Sequence, residues 1–223
     1  MNFKLSPSDL TFLYEGCQRC FWLKIRMGIV QPSIPLPGIF SKLAGLQKTF
    51  YTGKQTDKVH PALPPGIVKY GEKWVQSQPI SFDGHDNTVY IKGRFDIIVE
   101  FDDESYGVID FKTGNPDEQK ADLYSRQLHA YAYCLEHPAE RAMSLSPITK
   151  LGLLYFYPTA TSQTSIEKLS YDSEIHWIEI GRNNDKFMQF LERVLILLEA
   201  DTPPDPSPGC NWCGYGEKMK QLL

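Results

Sequence analysis

The chain has 223 residues, 42% of them hydrophobic and 22% charged, enough for a full core and without the bias of a disordered segment. Its formal net charge of −4 excludes a global basic footprint, so any polyanion has to be held by a local patch or by metal ions. The opening MNFKLSPSDLTFLYEG has no apolar signal-peptide core and no run nears the ~20 apolar residues of a membrane span, so a cytoplasmic protein without a membrane partner is expected.

Ser6-Pro7-Ser8-Asp9 offers a helix cap, a proline for the first turn and an acidic residue three places after the cap. Leu10, Leu13, Tyr14, Phe21 and Ile25 extend a helical apolar pattern, with Gly16 as an interruption. Residues 31–38 form a proline-rich break, 39–50 read as a helix, and 52–69 as a Pro/Gly-rich linker or lid. Residues 88–101, TVYIKGRFDIIVEF, predict a strand pair or one long bent strand, followed by a turn at 102–104 and a strand over 106–111 that ends at Thr113-Gly114-Asn115-Pro116. A helix is expected over 121–136, strands over 151–157 and 175–180, an amphipathic helix over 185–200, and a proline-rich tail to Gly209. That order predicts an α/β fold, a mixed sheet with helices packed against it.

In VIDFKTG, Asp110 and Lys112 are two apart, so on a strand they share a face that Phe111 turns away from. Asp96, in KGRFDIIVE, lies one hairpin upstream, and strands ~4.8 Å apart can bring both carboxylates to one cation. Such hard oxygen ligands suit Mg2+ or Mn2+. A lysine on the same face can then neutralise charge on a phosphorane-like transition state, or position and deprotonate a water. Taken alone, D-x-K more often marks a buried pair that holds strands in register. His129 reads as a structural histidine and His85 as a solvated turn residue.

Cys17 and Cys20, and again Cys210 and Cys213, form C-x-x-C pairs at the two ends, together the four thiolates that a tetrahedral zinc or an iron-sulfur cubane needs. Cys134 reads as a buried apolar residue.

The motifs DLTFLYEGCQRCFWLKI, GRFD, VIDFKTG and QLHAY, in this order, resemble the RecB-like branch of the PD-(D/E)XK nuclease superfamily, which includes the small CRISPR-associated exonucleases. The resemblance implies one restriction-endonuclease-like domain over 1–223, a mixed central sheet flanked by helices, with 1–30 and 201–223 joined at a cysteine metal site. It implies a Mg2+- or Mn2+-dependent deoxyribonuclease in which Asp96, Asp110 and the Phe111 carbonyl hold the metal and Lys112 is catalytic. Gln127 and Tyr131 would steady the site or touch the strand, while Arg94, Lys112, Lys120 and Arg126 line a DNA groove. The branch often adds a histidine four residues after a glycine; GIFSKL puts Lys42 there, with His60 or Glu72 as off-spacing substitutes. It also implies a four-iron four-sulfur staple on Cys17, Cys210 and Cys213, with Cys20 replacing the usual third C-terminal cysteine, an arrangement that keeps zinc as the alternative. Single-stranded DNA, cut from an end, is the expected substrate, and a nucleic-acid-processing protein a possible partner. The competing readings are a non-catalytic nucleic-acid-binding or assembly subunit of the same fold and, less favoured, a redox-responsive iron-sulfur protein.

Overall fold

In this computed structural model, which describes residues 1–32 and 37–221, the apolar alternation of the central strands builds two cores, one on each face of a sheet. The proline-rich break expected over 31–38 lies partly outside the described residues, as do the last two residues of the 201–223 segment.

Strand β1 (Asn2–Leu5) is followed by a helical segment, Asp9–Leu13 in π winding and α1 (Tyr14–Gly16) in α winding. Ser6 caps it as expected, its Oγ accepting the Asp9 amide at 3.1 Å. The helix ends at Gly16; Cys17 is extended (φ −163°, ψ 109°) and α2 (Gln18–Met27) starts afresh. Then come α3 (Gly38–Tyr51), β2 (Gly66–Tyr70), β3 (Lys73–Gln76), β4 (Thr88–Phe95), β5 (Ile97–Phe101), β6 (Tyr106–Thr113), α4 (Ala121–Glu136), β7 (Ile148–Ser165), β8 (Lys168–Ile180), α5 (Asn184–Glu199) and α6 (Asn211–Lys220). The stretch read as a linker over 52–69 contains a 3-10 turn, Thr56–Lys58, and most of β2.

The strands form a three-stranded sheet, β1-β4-β3, and a five-stranded mixed sheet, β2-β5-β6-β7-β8. Residues 88–101 form two strands that do not pair with each other: β4 belongs to the first sheet, β5 to the second, and the chain bends at Asp96 between them. Within the mixed sheet only β6 and β7 run parallel. Successive residues alternate between the cores: Val108, Leu151, Leu153 and Tyr155 face α4 and α5, while Ile109, Leu154 and Phe156 pack with Tyr51, Val59 and Leu63 on the other side. Asp110 and Lys112 therefore share the face of Val108, toward α4.

The predicted strands at 151–157 and 175–180 are only the base of a longer hairpin, whose 157–175 arm leaves the core and is largely exposed. Its polar sequence, TATSQTS, holds strand geometry through the β7–β8 ladder rather than through burial.

His129 is structural, as expected. Its Nε2 accepts the Asn183 amide at 2.8 Å and Nδ1 lies 2.8 Å from the Ser125 carbonyl, so the neutral ring ties α4 to the start of α5. Burial keeps its pKa below the ordinary histidine value. His85 is not a solvated turn residue: its Nδ1 sits 2.6 Å from Glu199 Oε2 and Asn87 donates to the other oxygen, because the 82–87 turn folds against the end of α5.

Gly93 of the GRFD stretch is needed for space. A Cβ there would fall 2.6 Å from Pro7 Cδ and 3.1 Å from a Tyr131 ring carbon. Gly93→Ala is therefore expected to destabilise the fold by about 1–3 kcal/mol through overpacking, which a thermal melt would register as a lowered midpoint.

Candidate active site and cysteine centre

The β5–β6 ladder ends at the pair Ile97–Ile109, and continuing that register by one residue sets Asp96 opposite Asp110. Beyond that point β6 runs on to Thr113 paired with β7 alone, so its β5-side amides need other partners. Asp96 supplies one: its Oδ2 accepts the Phe111 amide at 2.8 Å. In an extended strand the N–H and C=O of one residue leave on the same side, so the Phe111 carbonyl faces the edge that Asp96 covers.

Asp110 is buried, with Lys112 Nζ 2.6 Å from its Oδ2 and Gln127 Nε2 donating to its Oδ1 at 3.2 Å. Lys112 also donates to Gln127 Oε1 at 3.1 Å and lies 4.1 Å from the centre of the Tyr124 ring. Gln127 Nε2 reaches Tyr131 Oη at 3.2 Å, and Tyr131 donates to the Arg94 carbonyl at 2.9 Å. Residues 124, 127 and 131 lie along one stripe of α4, and that stripe joins β6 to the GRFD strand.

Burial, reinforced by Asp96 and opposed by Lys112, pushes the Asp110 carboxyl up to about 6. Asp110 Oδ2 is buried and is held by the Lys112 ammonium at 2.6 Å. A buried carboxylate, opposite a second carboxylate and beside an outward-facing carbonyl, offers hard oxygen ligands of the kind a divalent cation takes.

From α3 the residue that arrives is Lys48, not Lys42. Lys48 Nζ lies 2.7 Å from Asp96 Oδ1 and 2.6 Å from Glu72 Oε1, whereas Lys42 is exposed. Six residues on, the helix has turned about 240° past Lys42. Burial opposes the charge on Lys48, and Asp96 and Glu72 outweigh it, so the amine stays above its usual pKa. Sequence reasoning missed Lys48. The available signal was its place three before the buried Tyr51, on the inward stripe of α3. Glu72 also meets Arg94 Nε at 3.3 Å. His60 lies elsewhere, stacked on Trp177.

Arg94 thus borders the carboxylates, with its guanidinium over the exposed Trp74 ring. Lys120 is at the start of α4, paired with Asp117. Arg126 turns to Glu15 and the Phe190 ring, in the cavity between α4 and α5, rather than to Asp110.

At the chain ends the extended Cys17 and the first turn of α2 present two thiols to Cys210 and Cys213. All four sulfurs lie within 4.8 Å of one another, with separations of 3.5 Å (Cys20–Cys213) and 3.8 Å (Cys17–Cys213 and Cys20–Cys210). Four sulfurs converging in this way could hold a metal. Burial opposes charge on Cys17, but backbone hydrogen bonds at Ser207 and Cys20, helped by the neighbouring thiols, lower it to about 6. Burial and the neighbouring thiols push Cys213 up. Cys134 is separate and buried, as expected.

Two carboxylates thus face each other at the bend after β4, with a lysine two residues after the second. The model of the PD-(D/E)XK nuclease superfamily matches residues 43–217, and the chain belongs to that superfamily. Membership implies nuclease activity on a nucleic-acid substrate. No curated protein matches the chain. Among solved structures, the crystal structure of SSO0001 aligns over 99% of this chain and 87% of that one, with a TM-score of 0.45 and 15% identity. No described helix is long and apolar enough to cross a membrane.

Proposed function

We propose that this protein is a Mg2+- or Mn2+-dependent deoxyribonuclease of the RecB-like branch, acting on single-stranded DNA from an end. The observation that carries this reading is the Asp96–Asp110–Lys112 cluster, in which two carboxylates face each other and the lysine meets the second. Asp96, Asp110 and the Phe111 carbonyl would hold the ion, which supplies Lewis-acid activation of the phosphate and of a water. Lys112, fixed by Asp110, Gln127 and Tyr124, directs its positive charge at the phosphate oxygens. Gln127 and Tyr131 keep Asp110 and the GRFD strand in place.

Single strands are favoured because Trp74, 62% exposed, stands on β3 between Lys92 and Arg94, a platform on which an unpaired base can stack while the cations meet its backbone. Arg94 and Lys120 would contact the strand or guide it, whereas Arg126, expected to line the same groove, faces the α4–α5 cavity instead. The test is cleavage of end-labelled single-stranded and duplex DNA with Mg2+ and with Mn2+. A ladder growing from one end of the single strand, weakened in Trp74→Ala, is expected; equal cutting of closed circular duplex would refute the end-directed reading. A folded protein that binds single strands without cutting under either metal would instead be a binding subunit.

At the cysteine centre we read zinc rather than a four-iron cubane. A tetrahedron with Zn–S bonds of ~2.3 Å has edges of about 3.8 Å, close to three of the sulfur separations (3.5, 3.8 and 3.8 Å), whereas a cubane spreads its thiolates wider.

Metal binding at the carboxylates should depend on pH. Below about 6 the Asp110 carboxyl is protonated and each ion must displace that proton. Mn2+ affinity is thus expected to fall about tenfold per pH unit below that point and to level off above it. Calorimetry in buffers of different ionisation enthalpy should count nearly one proton released at pH 5.

A further inference from the structure

We infer that Lys48 stands in for a second divalent ion, so that the site holds one Mg2+ or Mn2+ at Asp96, Asp110 and the Phe111 carbonyl, and the Lys48 ammonium is a built-in cation between Asp96 and Glu72. The inference rests on the nuclease reading above and concerns how many ions that site takes.

Two-metal phosphodiesterases place their ions about 3.5–4 Å apart, bridged by a shared carboxylate. Here the carboxylate positioned for sharing is Asp96, which faces Asp110 on one side and Glu72 on the other. One of its oxygens accepts the Phe111 amide; the other is held by Lys48 Nζ at 2.7 Å. The same nitrogen is 2.6 Å from Glu72 Oε1. An ion bound to both carboxylates, at Mg–O distances of about 2.0–2.1 Å, would have to lie between the same two oxygens that Nζ now bridges at 2.6 and 2.7 Å. The side chain is also restrained, being only 16% exposed, and its turn is closed where Thr52 Oγ1 donates to the Lys48 carbonyl at 2.7 Å.

Charge points the same way. Glu72, Asp96 and Asp110 are matched by Lys48, Lys112 and Arg94 in direct ion pairs. The cluster is thus neutral before any ion enters. One divalent ion balances a phosphodiester and an attacking hydroxide, each carrying one negative charge; a second would leave an unbalanced excess. Lys48 supplies the second positive point with three N–H donors and no metal.

The experiment is Mn2+ titration of the full chain followed by electron paramagnetic resonance, which reads stoichiometry and spin coupling independently of cleavage. Wild type should bind one ion at the carboxylates with an uncoupled spectrum. Lys48→Met, which keeps the stem and removes the charge, should bind two with a coupled spectrum, and Lys48→Met/Glu72→Gln should return to one. Lys48→Arg, retaining the charge, controls for folding and should bind one. Two coupled ions in the wild type, or a single ion in Lys48→Met, would overturn the inference and leave the nuclease reading standing. If wild type and Asp110→Asn both bind none and neither cleaves DNA, the nuclease reading itself fails.

Discussion

Asp110→Asn is expected to slow metal-dependent DNA cleavage by about a thousandfold or more, the ~4 kcal/mol of transition-state stabilisation that a bound ion supplies. Its Mn2+ affinity should fall with the rate, because the amide cannot offer the anionic oxygens of the Asp110 carboxylate. Lys112→Met should lose rate by a comparable factor while keeping the ion, since Lys112 contributes charge and not a ligand. Rates and Mn2+ binding measured side by side on the two folded variants separate the roles. Wild-type cleavage by Asp110→Asn would place the chemistry elsewhere on the chain.

The second large effect concerns the cysteine centre. Cys210→Ser, or stripping the metal with a strong chelator, should lower the melting midpoint by about 10 °C. The cross-link spans 190 residues between Cys20 and Cys210, and closing a loop of this order contributes about 5 kcal/mol in the chain-entropy picture. At ~2–4 °C per kcal/mol for a domain of this size, the lower figure gives the stated shift. The loss should be local first, because α6 has no buried residue and depends on the thiolates, whereas α2 keeps bonds from Arg19, Trp22 and Arg26 to the carbonyls of Pro204, Ala200 and Leu198. Hydrogen exchange that accelerates in α6 before α2 would show this order. A melt unchanged after complete metal removal would leave the cysteines without a structural role.

Much of the site was readable because it depends on short-range periodicities. Asp110 and Lys112 share a face through the two-residue period of a strand, and the Leu123–Leu135 pattern marked α4 over its observed bounds, 121–136. The paired cysteines were visible through spacing alone. Lys48 and Glu72 were hidden because their meeting depends on where α3 lies against the bend after β4, which no local pattern encodes. β1 was missed because its four residues take strand form by pairing parallel to β4, far along the chain. The outer 157–175 arm was missed because a ladder exposed on both sides has no apolar alternation to read. His85 was misjudged for a similar reason: its partner, Glu199, is on a distant helix.

The separation of the cysteine pairs also sets an order in time. Cys17 and Cys213 are 196 residues apart, and a ribosome adding ~5–20 residues per second takes roughly 10–40 s to pass from one to the other. For that interval the first pair has no partner, and it can be oxidised or take up a metal in the wrong geometry. The finished centre therefore records that synthesis has run through Cys213, since a chain halted before Cys210 carries only Cys17 and Cys20 of the four and lacks the clasp.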